Sequence, residues 1–243
     1  MSEHAAHTTA DVIKELADHR LDWDRINSRL AALDPKHPDW KPAAELVGPY
    51  LTISRQPGAW GDEVAQRVGE ALGWAVLNGE VVDLMAELFN LEPNMLRLVD
   101  EAKASWVRDL VTDFLPMEII DRDTYVHHLG RVFHLAALHG QVVLVGRAAN
   151  LFLPRTRGLS VRLIGTESRR VDRLAAKDGI DHHEAEKRVR DINHRRARLV
   201  RHYFGRDIED PLLYDLVLNT TAMKVDHVVA IITDACRARG LDA

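Results

Sequence analysis

Residues 51–74, LTISRQPGAWGDEVAQRVGEALGW, constrain the fold of this chain more than any other stretch. An apolar, β-type run (51–54) enters a turn carrying Gly58 and Gly61. Val64, Ala65, Val68 and Leu72 then recur at helical spacing. A strand that passes through a glycine turn into a helix aims backbone N–H groups and a helix N-terminus at one point, a natural site for phosphate. Further apolar runs at 75–77, 142–145, 161–164 and 216–218 alternate mostly with helical patterns. That alternation predicts an α/β domain with a parallel sheet covered on both faces.

The turn has the shape of a phosphate-binding loop and the wrong charges for one. Such a loop usually reads G-x-x-x-x-G-K-[ST]. With Gly61 counted as its second glycine, Gln56 stands in the first glycine slot, Asp62 in the lysine slot and Glu63 in the Ser/Thr slot.

Outside this core, 79–140 contains no expected strand but three helix-like stretches, 80–91, 94–115 and 125–138. They exceed one crossover helix and predict a helical insert over the sheet edge. Residues 1–9 are polar, and Val12, Ile13, Leu16, Trp23, Ile26, Leu30 and Leu33 then recur at helical spacing. Three prolines within 34–42 end that pattern. The expected division is a helical appendage and linker (1–46) and a phosphate-site domain (47–243). The appendage's apolar stripe packs either on its own domain or on a partner, which leaves self-association through this helix open.

Composition narrows the function classes. A net charge of −5 gives no global attraction to nucleic acid or an anionic membrane. Cys236 is the only cysteine, which excludes an internal disulfide framework and suits a reducing cytoplasm. The N-terminus lacks a basic region followed by an apolar core, and no apolar run approaches the roughly 18 residues of a membrane span. A soluble cytoplasmic protein is expected.

Two more segments carry candidate chemistry. In QVVLVGRAANLF (141–152) a buried run delivers Gly146 and Arg147 at its carboxyl end, the ligand side of an open parallel sheet. An arginine there can fork onto phosphate; an ordinary solvated arginine is the alternative. In EKRVRDINHRRARLVRHYFGR (186–206), basic residues crowd one segment in which Asp191 is the only acid after Glu186. Asp181 with Glu184 resembles a capping box that starts a helix at His182. At about 100° per residue, Arg188, Asp191, Arg195 and Arg198 share a face, while Arg190 and Arg201 point elsewhere. A charge run of this kind is usually a solvated face; the excess of one sign favours a visiting anion as the alternative. The adjacent pairs His127–His128 and His182–His183 lack metal-binding spacing, so no metal site is expected in the protein itself. Cys236 reads as a buried structural thiol.

Taken in order, these segments resemble the cytidylate kinase-like family, relatives of the nucleoside monophosphate kinases within the P-loop NTPase fold. ISRQPGAWGDEVAQRVGEALG is similar to the family's opening, usually ISRE-x-G-S-G-G-R-E-I-A. VVLVGRAANLFL is similar to its acceptor-binding segment, and the stretch from VRLIGTESRR to RHYFG to its fourth strand, helix and lid. DPLLYDLVLNTTAMKVDHVVAIITDAC is similar to its last strand and helix. The resemblance spans about 51–237 and implies a three-layer sandwich with a five-stranded parallel sheet, a helical acceptor-binding insert and an arginine-rich lid. It implies transfer of the ATP γ-phosphoryl to a small acceptor such as a nucleoside monophosphate, with Mg2+ bridging the phosphates. Turn residues Gly58, Gly61, Asp62 and Glu63 would cradle the donor, with Arg55 a further phosphate ligand. Gly146, Arg147 and Arg190 would serve the acceptor. Arg195, Arg198 and Asp191 would close over the transferred group.

The chain departs from the family pattern at Asp62, often arginine there, at Trp60, which replaces a glycine, and at Asn78, which replaces a common acid. A catalytically silent relative that binds a nucleotide or another phosphorylated ligand is therefore the first alternative. The second is an interaction module that contacts a partner through the basic lid, RNA being one conceivable partner although the net charge disfavours nucleic acid.

Overall fold

The computed structural model describes residues 47–79 and 124–241. The expected N-terminal helix and the 80–91 and 94–115 stretches of the insert lie outside the described residues. Five strands form one sheet: β1 (Tyr50–Arg55), β2 (Ala75–Leu77), β3 (Val142–Val145), β4 (Gly158–Ile164) and β5 (Leu216–Asn219). Their spatial order is β2-β3-β1-β4-β5, with every pairing parallel. The most central strand, β1, is thus the one that feeds the glycine turn.

Pleat alternation divides the sheet into two faces. Leu51 and Ile53 of β1 join Val143, Val145, Val161 and Leu163 in one buried cluster with helix α1 (Gly61–Leu72) and the C-terminal helix α6 (Val225–Ala238). Val64, Ala65 and Val68 are fully buried there, as is Cys236. Gly69 is required by the close packing of α1 on β2, since a Cβ at this position would lie 2.3 Å from the Val76 side chain. The opposite face carries α2 (Thr124–His139), which includes the expected 125–138 stretch, and the short α3 (Ala149–Phe152). Their Phe133 and Phe152 rings meet at 5.2 Å, and Phe152 meets Phe204 edge-on at 5.1 Å. Helices therefore cover both faces, as the alternating pattern predicted.

Phe204 ends a long helix, α5 (His182–Phe204), which pairs with α4 (Glu167–Asp178) through Val171, Ala185 and Val189. Asp181 caps α5 by accepting from the Glu184 backbone N–H at 2.9 Å. The Glu184 side chain instead takes Arg188 Nε at 3.0 Å, so only half of the expected capping box forms. Among the described residues no helix is long and apolar enough to cross a membrane.

Candidate functional site

All five strands deliver their carboxyl ends to one edge of the sheet, and two clefts open there. The first, about 300 Å3, lies beyond β1, β2 and β3, with Asn78, Arg147, Asn150, Leu199 and Tyr214 on its walls. The second, about 450 Å3, lies over the glycine turn, with Gly58, Trp60, Glu63, Arg173 and Lys177. Arg55, Asp62 and Arg196 line both clefts and form the wall between them.

Arg55 is the last residue of β1, and its side chain runs across the turn. A Cβ on Gly61 would sit 2.2 Å from Arg55 Cγ, and one on Gly146 would sit 2.2 Å from its Nη1. These two glycines thus leave a channel in which Arg55 lies. Its Nη2 donates to Asp62 Oδ1 at 3.1 Å, with the arginine 16% and the aspartate 57% exposed. Among the described residues, buried Arg55 Nε has no hydrogen-bond partner.

The turn itself is pinned from behind. Gln56 N donates to the Leu163 carbonyl at 2.9 Å, and Gln56 Oε1 accepts from Gly165 N at 3.1 Å. Gly58 adopts φ +76°, and a Cβ there would lie 2.1 Å from the Arg170 carbonyl oxygen. Only glycine suits that position. The residue before α1, Trp60, is also left-handed (φ +60°), so the backbone position best served by glycine is Trp60 rather than Gly61, which is already helical. The Arg173 guanidinium lies 3.4 Å from the Trp60 ring centroid and donates to the Thr220 carbonyl at 2.8 Å. Among the described residues the N-terminus of α1 has no side-chain cap, and its first residues, Gly61, Asp62 and Glu63, border the second cleft. Asp62 and Glu63 in this turn favour the helix dipole, and Glu63 is already paired with Arg67 at 2.7 Å.

After β3, three successive residues are left-handed: Gly146 (φ +80°), Arg147 (φ +51°) and Ala148 (φ +58°). Such backbone is costly for residues other than glycine. It places Arg147 on the first cleft, where its Nε is 3.7 Å from the position of a Cβ on Gly79.

Helix α5 meets the clefts along Ile192, Arg196, Leu199 and Val200. Arg190, Asp191, Arg195 and Arg198 are exposed and line neither cleft. Part of the segment's charge is matched within the chain: Arg188 by Glu184 and Asp178, Arg190 by Glu186 at 2.9 Å, Arg201 by Asp207. The sequence-predicted residues therefore divide. Arg55, Gly61 and Asp62 come together with Gly146 and Arg147; the four residues of the proposed lid stand apart.

Sequence reasoning passed over Arg196 as a site residue. Its Nη1 donates to the Arg55 carbonyl at 2.6 Å. Burial, reinforced by Arg55 and opposed by Asp62, lowers its pKa from the ordinary arginine range to about 9. The signal was an arginine flanked by Ile192 and Leu199, at i−4 and i+3, on a helix's apolar stripe. Arg162 on β4 was also missed. Only 3% exposed, it donates to Ser54 Oγ at 2.9 Å and pairs with Glu209 beneath the first cleft. Tyr214 completes this floor, with its hydroxyl donating to the Ile208 carbonyl at 2.9 Å.

The cytidylate kinase-like family matches residues 50–222. The chain is 27% identical to a cytidylate kinase of Methanopyrus kandleri over 199 residues, 78% of this chain and 93% of that protein. It is 26% identical to a cytidylate kinase of Natronomonas pharaonis over 193 residues, 79% and 91% of the two. An uncharacterized protein from Eubacterium ventriosum has a similar fold, with a TM-score of 0.63 at 18% identity over 78% of this chain and 98% of that one. The order of segments, the parallel sheet and a match over most of the chain agree: this protein belongs to the cytidylate kinase-like family.

Proposed function

We propose that this protein is a phosphotransferase that moves the γ-phosphoryl group of ATP to a small acceptor, with nucleoside monophosphates of the cytidylate type first among the candidates. The observation that carries this reading is the shared wall: one cleft on the glycine turn, one on Arg147, with Arg55, Asp62 and Arg196 between them. Phosphoryl transfer asks a protein mainly to place donor and acceptor in line and to neutralise charge. The uncapped N-terminus of α1 and the backbone at Gly58 suit the donor phosphates, with Glu63 at the rim. Gly146 and Arg147 suit an acceptor phosphate. An acceptor oxygen would attack the γ-phosphorus as the bond to the β-phosphate bridging oxygen breaks, at the wall where Arg55 and Arg196 concentrate positive charge. Magnesium is commonly held by one or two carboxylates together with phosphate oxygens. Asp62, exposed and common to both clefts, fits that role, and the metal would offset the donor's charge. Arg195 and Arg198, with Arg190 and Asp191 beside them, enter as lid residues that reach the phosphates on closure of α5.

A silent nucleotide-binding relative is the second reading. It is favoured by the Arg55 side chain lying in the turn and by Trp60 in a glycine position. A thermal-shift panel of ATP, CMP, dCMP, UMP and AMP, with and without Mg2+, separates the readings when followed by a turnover assay. A ligand at about 100 times its dissociation constant adds about 2.7 kcal/mol. Shifts from both ATP and a monophosphate, with turnover, support the transferase. Shifts without turnover support the silent relative, and no shift with any nucleotide refutes both.

A further inference from the structure

We propose that Arg55 fills the phosphate-binding role of the absent lysine and that Asp62 is its detachable counter-ion, exchanging Arg55 for Mg2+ when a donor arrives. The inference rests on the donor-cleft reading above and adds to it a metal-gated affinity for phosphate. Three observations lead to it. Arg55 reaches across Gly61 to Gly146, so its guanidinium lies where the two clefts join. Its partner is a carboxylate 3.1 Å away and 57% exposed, accessible to a cation from solvent. The second arginine on the wall, Arg196, is anchored by a bond from its Nη1 to the Arg55 carbonyl, so Arg55 is the arginine whose carboxylate partner can be exchanged.

The consequence is a competition. Without metal, a phosphate that recruits Arg55 must strip it from Asp62 and then face a bare carboxylate in the first turn of α1. With Mg2+, Asp62 keeps a cationic partner while Arg55 forks onto phosphate, as guanidinium geometry allows. By linkage, metal and phosphate must then strengthen each other's binding by one common factor. A substitution that removes the carboxylate's charge removes that factor and frees Arg55.

The test is calorimetric titration of the full chain with ATP and with tripolyphosphate, each with Mg2+ and with EDTA, for wild type, Asp62→Asn and Arg55→Met. Wild type should bind at least about tenfold more tightly with Mg2+, the scale of one charge-assisted hydrogen bond. Part of any gain comes from the intrinsic Mg2+ affinity of the phosphates, so the comparison with Asp62→Asn decides. That variant should bind metal-free tripolyphosphate more tightly than wild type and should lose most of the Mg2+ enhancement. Arg55→Met should bind weakly in both conditions, with circular dichroism to verify folding; if it does not fold, the Asp62→Asn arm decides alone. An unchanged Mg2+ enhancement in Asp62→Asn overturns the exchange and leaves the donor cleft standing. Absence of binding in every protein and condition overturns the donor-cleft reading along with it.

Discussion

Arg196→Met should make the empty protein more stable and cost it its phosphate affinity. Arg196 keeps a charge in a half-enclosed wall beside Arg55, and its pKa falls well below the ordinary arginine range, to about 9, as a result. At about 1.4 kcal/mol per tenfold change, holding that charge at neutral pH costs the fold on the order of a few kcal/mol. Against this stands the charged hydrogen bond to the Arg55 carbonyl at 2.6 Å, worth about 1.5–3 kcal/mol. Methionine has a similar reach and no charge, so a net gain of about 1–3 kcal/mol is expected once water access to the cleft is allowed for. For a domain of this size that is a rise of about 2–12 °C in Tm, read by calorimetry at pH 7. The pH dependence has a definite sign. The unfolded chain holds this proton up to the ordinary arginine range, whereas the folded chain releases it from about 9 upward. Wild type therefore regains stability above pH 9, and the gap to Arg196→Met narrows there. The same variant should bind MgATP at least about tenfold more weakly, through the lost charged contact. A fall in Tm with MgATP affinity unchanged would refute the reasoning and make Arg196 a structural strut.

Two further outcomes test the fold that positions the site. Gly58→Ala places a Cβ 2.1 Å from a carbonyl oxygen at φ +76°, so backbone must move; chemical denaturation should show a loss of about 2–4 kcal/mol. His134, 6% exposed, has its Nδ1 2.6 Å from the Gly130 carbonyl, and burial lowers its proton affinity. Its contribution is present above the ordinary histidine value of 6.5 and is lost as pH falls below it, by up to about 1.4 kcal/mol per pH unit. Denaturation at pH 7.5 and 5.5 should therefore show a smaller acid loss in His134→Leu than in wild type.

The sheet was legible because β1 to β4 are largely buried runs, and a buried parallel strand is apolar whichever neighbour it pairs with. Edge strand β5, which alternates half-buried and exposed residues, was legible as a short apolar run. The start of β4 was not. The strand begins at Gly158, where a Cβ would lie 2.1 Å from the Tyr50 ring, a constraint set by a side chain on another strand. The same limit explains the wall between the clefts. Arg55 and Asp62 are close in sequence, so the turn announced them. The stack of Arg173 on Trp60 and the bond from Arg196 to Arg55 join segments that local spacing does not connect. In the basic helix, spacing gave the faces but not their directions. The Arg188–Arg198 face had the charge, whereas the adjoining stripe with Ile192 and Leu199 turned to the clefts, because apolar neighbours decide which side of a helix packs.

The central claim is that the two clefts serve one transfer. The most direct measurement follows the label from γ-labelled ATP, with purified protein, Mg2+ and each of CMP, dCMP, UMP and AMP in turn. The account predicts label on at least one monophosphate, producing the corresponding diphosphate, only with Mg2+ and strongly reduced in Arg196→Met. Label that stays on ATP with every monophosphate, at concentrations where both ligands demonstrably bind, would contradict it.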